Sequence, residues 1–186
     1  MGTLLALLIW AQGAAAGQPE AELAQLLQRK ITDFEQRQRA GQPPSSKVVA
    51  VSAAELTAYL NVLTKLPPSL SAIDVQFDRE RIAAKGLIDL DQIPQLQGLS
   101  LGPLFSGRVQ VAVKGRLTNE DGFGRFDVED VRLGSIPLSP SVLGQIVASA
   151  TRTQERPQGF DILAPFRYPY GVRQVKLTTG RALLEF

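Results

Sequence analysis

Beyond Pro67-Pro68, the apolar residues of this 186-residue chain stop recurring at helical spacing and begin to alternate. Ile73, Val75 and Phe77 are separated by single polar residues, and Asp78-Arg79-Glu80-Arg81 supplies a turn. Ile82, Ala84, Gly86, Ile88 and Leu90 then resume the pattern. Every second side chain of a strand shares one face, so this region predicts a hairpin with one apolar and one polar surface. After a Leu- and Gly-rich loop from Pro94 to Pro103, Val109, Val111 and Val113 continue the inward stripe. Asn119-Glu120-Asp121-Gly122 closes a second hairpin onto Phe126 and Val128, with a bulge bringing Val131 and Leu133 back to the same face. Further strands are expected around Phe160–Ile162 and Val172–Thr178. Thr179-Gly180 turns the chain into a last strand from Ala182 to Phe186.

Three segments keep the helical period. Leu23, Leu26, Leu27, Ile31 and Phe34 form a stripe between Glu20 and about Gln38, ended by a linker, Ala40-Gly41-Gln42-Pro43-Pro44-Ser45-Ser46. Ser52 and Glu55 are spaced as a capping box, with Val51 and Leu56 placed as a hydrophobic staple. They predict a helix from Ala53 to about Thr64, with Leu56, Tyr59, Leu60 and Leu63 on one face. Ser139-Pro140 sets an N-cap and a first-turn proline before Val142, Leu143, Ile146 and Val147. Three helices and about six hairpin-linked strands predict a single α+β domain, an antiparallel sheet with helices on one face.

The chain contains neither histidine nor cysteine. That removes the commonest general base, the Ser-His and Cys-His nucleophiles, and nearly every zinc or copper site. Carboxylate chemistry is left. Asp89 and Asp91 lie two apart in a predicted strand, where they would bind calcium, act as an acid/base pair, or simply be solvated. Glu129-Asp130 with Arg125 and Arg132 reads as a charged outer face. Gly122-Phe123-Gly124 lacks the residues and the strand-to-helix setting of a phosphate loop. Ser135, Ser139 and Ser141 have no base near them in sequence and read as capping residues. Tyr168-Pro169-Tyr170, with Phe166 and Arg167, is the one aromatic concentration. It reads either as a ligand-contacting loop or as packing against the end of the sheet.

Leu4 to Trp10 is apolar and is followed by Ala14-Ala15-Ala16-Gly17. Small residues after a short apolar core suit signal peptidase, so residues 1–17 are expected to act as a signal peptide, with an N-terminal membrane anchor as the alternative. About 170 residues would remain, enough for one core without disulfides. Residues 18–46 then form an amphipathic helix and linker, and residues 47–186 the α+β domain. A formal net charge of +2 is too small and dispersed for nucleic acid. Between Thr151 and Phe186 six basic residues face three acidic ones, a bias that favours either an anionic surface or plain solvation.

The apolar stripe itself allows two outcomes. If the helices close on the sheet, its residues are core. If they stand off, the same residues line a groove for an acyl chain. Val51-Ser52-Ala53-Ala54-Glu55-Leu56-Thr57-Ala58-Tyr59-Leu60-Asn61 resembles the opening helix of bacterial envelope proteins related to the tubular lipid-binding (TULIP) fold, in the YpmS-like and LmeA-like groups. Gly107 to Val113, Gly122 to Phe126 and Val131 to Leu143 agree with them in order. The last includes Gly134-Ser135-Ile136-Pro137-Leu138-Ser139-Pro140 entering a helix. The resemblance implies a long helix cradled by a curled antiparallel sheet with an apolar cleft for lipid, and it supplies no catalytic residues to carry over; no metal or cofactor is expected. On this reading the chain is an exported, periplasmic or secreted, non-enzymatic protein that binds or transfers lipid or another amphiphile, in peripheral contact with a membrane. Its cleft would draw on Leu56, Leu60, Val75, Phe77, Ile88, Val111, Val113, Phe126, Val128 and Ile146. The alternative is a scaffolding envelope protein with a solid core, docking a partner through its first helix.

Overall fold

The structure, a computed structural model, describes residues 18–92, 107–152 and 157–186. The apolar segment read as a signal peptide and the loop from Pro94 to Pro103 lie outside the described residues.

Helix α1 (Gln18–Arg39) leads into β1 (Val48–Ser52) and α2 (Ala53–Val62). Four long or medium strands follow in two hairpins: β2 (Leu70–Asp78) with β3 (Arg81–Asp89), then β4 (Arg108–Glu120) with β5 (Phe123–Leu133). A two-residue β6 (Ile136–Pro137) precedes α3 (Pro140–Ala150); β7 (Phe166–Arg167), β8 (Gln174–Thr178) and β9 (Arg181–Glu185) complete the described chain. The fold is α+β, with three α-helices among the described residues and two antiparallel sheets, neither closed into a barrel. The larger runs β2-β3-β4-β5-β6 with β7 also on β5; the smaller runs β1-β9-β8.

Strand register explains the large sheet's two faces. Val75 and Phe77 lie opposite Ala84 and Ile82, which lie opposite Val113 and Gly115. Val111 and Val113 face Leu133 and Val131. One surface is therefore apolar throughout. Keeping it so requires the predicted bulge: Lys114 pairs with Asp130 but Gly115 with Val128, leaving Glu129 as the extra residue. Without that insertion Val131 and Leu133 would turn to solvent; with it they are 2% and 1% exposed. The polar surface carries the charges. Glu129 meets Arg81 at 2.9 Å and Arg116 at 3.9 Å, Asp127 meets Arg125 at 2.9 Å, and Asp130 meets Arg132 at 3.1 Å. These exposed pairs set register more than they add stability.

Several expectations need correction. The sequence reading has one sheet; β1, with its run Val48-Val49-Ala50-Val51, instead pairs with β9 and builds a second. Phe160–Ile162 is not a strand, because side chains occupy its backbone donors: Thr151 Oγ1 accepts from Phe160 N at 2.7 Å and Asp161 Oδ1 accepts from Leu163 N at 2.9 Å. Leu63 does not join the buried face of α2; as the residue capping the helix it is exposed. Asp91 is not in a strand with Asp89. β3 ends at Asp89, whose Oδ1 accepts from Asp91 N at 3.2 Å and whose Oδ2 accepts from Gln92 Nε2 at 2.9 Å, folding the chain into a 3₁₀ turn. Asp91 Oδ2 in turn accepts from Gly107 N at 3.1 Å. Both carboxylates are turn locks, and among the described residues no three acidic groups gather where a metal could be held.

The small sheet packs on one end of the large one. Val75, Phe77 and Leu117 meet Val175, Ala182, Tyr168 and Val172 there, with Leu56 and Leu60 of α2 against them. A second cluster at the other end joins Ile88, Leu90 and Leu133 to Ile146 of α3. Helix α1 adds a further layer, burying Ala24, Leu27 and Phe34. Lys30 Nζ reaches Glu55 Oε1 and the Ala50 carbonyl, each at 2.7 Å.

Candidate functional site

The ten residues expected to line a cleft fall into three sets. Leu56, Leu60, Val75 and Phe77 belong to the first cluster. Ile88, Val111 and Ile146 belong to the second. Val113, Phe126 and Val128 lie between, half-buried on the same apolar face, beside the equally half-buried Ala84. Along β4 the sequence of environments is plain: Val109 and Val111 under α3, then Val113 and Gly115, then Leu117 under the small sheet. Gly115 is needed in that middle stretch. A β-carbon there would stand 2.5 Å from the Asp127 carbonyl and 2.7 Å from the Phe126 ring, which lies across the strand.

Helix α2 does not lie over this band. It runs along the edge of β2 and takes the place of a neighbouring strand. Asn61 Nδ2 donates to the Ile73 carbonyl at 2.7 Å while its Oδ1 accepts from Ile73 N at 2.9 Å, and Thr57 Oγ1 accepts from Val75 N at 2.9 Å. The capping box forms as expected. Ser52 Oγ accepts from Glu55 N at 3.1 Å and Glu55 Oε2 accepts from Ser52 N at 2.7 Å. Burial opposes the charge on Glu55, but hydrogen bonds from Lys30 and from Ser52 outweigh it and hold the carboxyl below its ordinary range.

The aromatic segment near the C-terminal strands divides into two roles. Tyr168 is buried at 8% exposure, edge-on to Phe166 at 5.7 Å, and its hydroxyl donates to Asn119 Oδ1 at 2.7 Å. The same Asn119 pairs with β8: Oδ1 accepts from Val175 N at 2.8 Å and Nδ2 donates to the Val175 carbonyl at 3.1 Å. One amide thus stitches the large sheet, the small sheet and the aromatic loop. Burial pushes the Tyr168 phenol up to about 12. Tyr170 faces the other way, with φ +60° inside a 3₁₀ turn, a left-handed conformation costing a bulky residue on the order of 1 kcal/mol. Its ring lies 6.0 Å from that of Phe34 and its hydroxyl donates to Glu35 Oε1 at 3.1 Å. Tyr170 therefore fastens α1 to the body, and burial followed by the Glu35 contact raises its phenol as well.

Three hollows open around this end of the molecule. One of about 620 Å³ spans Asp121 to Phe123 and Arg167 to Arg173. A neighbour of about 320 Å³ lies between α1 and the C-terminal strand, and a third of about 500 Å³ flanks the other side of Phe123. None of the three is lined by any of the ten expected residues. Of the arginines that line them, Arg37 and Arg173 are not among the candidates drawn from the sequence, whereas Arg167 belongs to the aromatic run read there as a ligand-contacting loop or as packing, and Arg125 to the charged outer face. No protein-family model, curated protein or solved structure matches this chain.

Proposed function

We propose that the chain is a non-enzymatic binding protein for lipid or another amphiphile, exported to the bacterial envelope, whose apolar ligand lies on the open middle of the large sheet. The observation that carries this reading is that Ala84, Val113, Phe126 and Val128, on the apolar face of the large sheet, belong to neither buried cluster and are only part-buried, although Val131 beside Val113 is buried. An acyl chain laid across β3, β4 and β5 would cover these four residues. The absence of histidine and cysteine, and the resemblance to TULIP-type envelope proteins, point the same way. No helix among the described residues is long and apolar enough to cross a membrane.

Native mass spectrometry with lipid extraction, on full-length protein purified from its own envelope, tests the reading. A co-purified amphiphile that is lost in Val128→Glu supports it. Protein without bound amphiphile, together with an experimental structure in which Val113 and Val128 are fully packed, refutes it.

Scaffolding through α1 is the second reading. Gln25, Arg29 and Gln36 are exposed along the helix while Ala24, Leu27 and Phe34 hold it to the body. Substituting the exposed residues, rather than deleting the helix, isolates partner binding without uncovering the core.

A further inference from the structure

The two adjoining hollows beside α1 form one cleft, because Gln38, Tyr170, Gly171 and Arg173 line both. Arg173 stands at their junction, with Arg37 in one hollow and Arg167 in the other. Among the described residues the side-chain carboxylate lining these hollows is Asp121, against three arginines. Arg37 already holds Asp33 at 2.9 Å. Arg167 and Arg173 are exposed and form no ion pair among the described residues. The smaller hollow is also lined by three aromatic rings: Phe34, mostly buried, lies 5.2 Å from Phe186 and 6.0 Å from Tyr170, ring centre to ring centre.

A guanidinium takes carboxylate or phosphate through two parallel hydrogen bonds, and an aromatic surface takes an apolar body. The two hollows, at about 620 and 320 Å³, have the size of small-molecule sites. We infer that this cleft binds an amphiphile with a single anionic head, carboxylate or phosphate, the head on Arg173 and Arg167 and the apolar body against Phe34, Tyr170 and Phe186. The site is separate from the middle of the large sheet and stands even if that face is a closed core.

Calorimetric titration of the full chain at low salt, below the micelle concentration of each probe, tests the inference. The probes are dodecyl phosphate, dodecanoate, neutral dodecyl maltoside and inorganic phosphate. Both anionic amphiphiles should bind about tenfold or more tightly than the maltoside or the free ion, and Arg173→Gln or Arg167→Gln should each cost about tenfold. Arg173→Lys should recover part of the loss, and Arg132→Gln, on the polar face of the large sheet, should change nothing. Both arginine side chains are exposed, so the variants should melt like the parent. Equal binding of the maltoside overturns the inference, as does inorganic phosphate binding as tightly as dodecyl phosphate. Loss of binding in Val128→Glu but not in Arg173→Gln assigns the ligand to the sheet instead and overturns it too.

Discussion

Replacing Asn119 by alanine should be among the most damaging single changes in this protein, although Asn119 is only partly buried and is polar. Its side chain satisfies three groups at once: the Tyr168 hydroxyl, the Val175 N–H and the Val175 carbonyl. Tyr168 and Val175 are both buried, at 8% and 9% exposure, so water cannot readily replace the amide. An orphaned buried polar group costs about 1–3 kcal/mol. Taking the low end for the Val175 pair, the loss sums to about 3–5 kcal/mol. A domain is stable by only about 5–15 kcal/mol, so this is a large share. Urea unfolding followed by circular dichroism reads it directly. With a slope of about 2 kcal/mol per molar, the midpoint should fall by about 1.5–2.5 M. Asn119→Asp keeps the acceptor and loses the donor, so it should cost about 1 kcal/mol plus the burial of its charge. Tyr168→Phe should cost about 1 kcal/mol alone and less in the Asn119→Ala background, because the two share a bond. A midpoint shift below about 0.3 M for Asn119→Ala, or strict additivity with Tyr168→Phe, would falsify the idea that this amide joins the sheets.

Gly124→Ala should destabilise by about 1–3 kcal/mol, since the added carbon would sit 2.5 Å from the Tyr168 hydroxyl and 2.7 Å from its ring; thermal unfolding measures this, and Tyr168→Leu should relieve it where Tyr168→Phe should not. The phenol of Tyr168, raised to about 12, gives an alkaline dependence. Its neutral form is favoured in the fold, so the contribution is full below pH 10 and is lost as pH rises through 12, roughly 2–3 kcal/mol in all, and Tyr168→Phe should abolish that part of the slope. Glu55 works in the opposite direction. Its carboxyl is depressed by Lys30 and Ser52 against the opposing effect of burial, so its contribution is present above pH 4.5 and fades as pH falls through the lowered value. Lys30→Met should flatten this acid limb in unfolding curves collected at a series of pH values, whereas an unchanged limb would place the effect elsewhere.

The elements whose signals are local were legible. The capping box at Ser52 and Glu55, the proline-led start of α3, the two hairpins and the bulge near Glu129 all follow from spacing within a dozen residues. Long-range pairing was not. Val48-Val49-Ala50-Val51 is a good strand sequence, but its partner lies at the far end of the chain, and a five-residue run beside a linker carries no period of its own. Phe160-Asp161-Ile162 alternates like a strand, yet Thr151 and Asp161 bond its backbone first. The candidate lining residues were found as a set because inward alternation is visible. Their division into two clusters and a half-buried band depends on where α2 and α3 come to rest. Thr57 and Asn61, one helical turn apart, determine part of that by binding the edge of β2, a role their residue types alone do not announce. The arginine cleft was legible only in part: the aromatic run marks Arg167, but Arg37 and Arg173 join it only in three dimensions.

The pairing of β1 with β9, Val48 opposite Glu185 through Ser52 opposite Arg181, also fixes an order of events. On a ribosome, β2 to β5 can form their hairpins as they emerge, because each strand follows its partner closely. β1 cannot. It must wait, with Val49 and Val51 unpaired, until β9 has been made, and closing so long a loop is entropically the slow step. Until then α1 has no Phe186 to pack against Phe34, and the wall of the arginine cleft does not exist. A nascent or truncated chain would therefore hold a folded large sheet beside an open strand edge, the form most exposed to aggregation and to capture by chaperones.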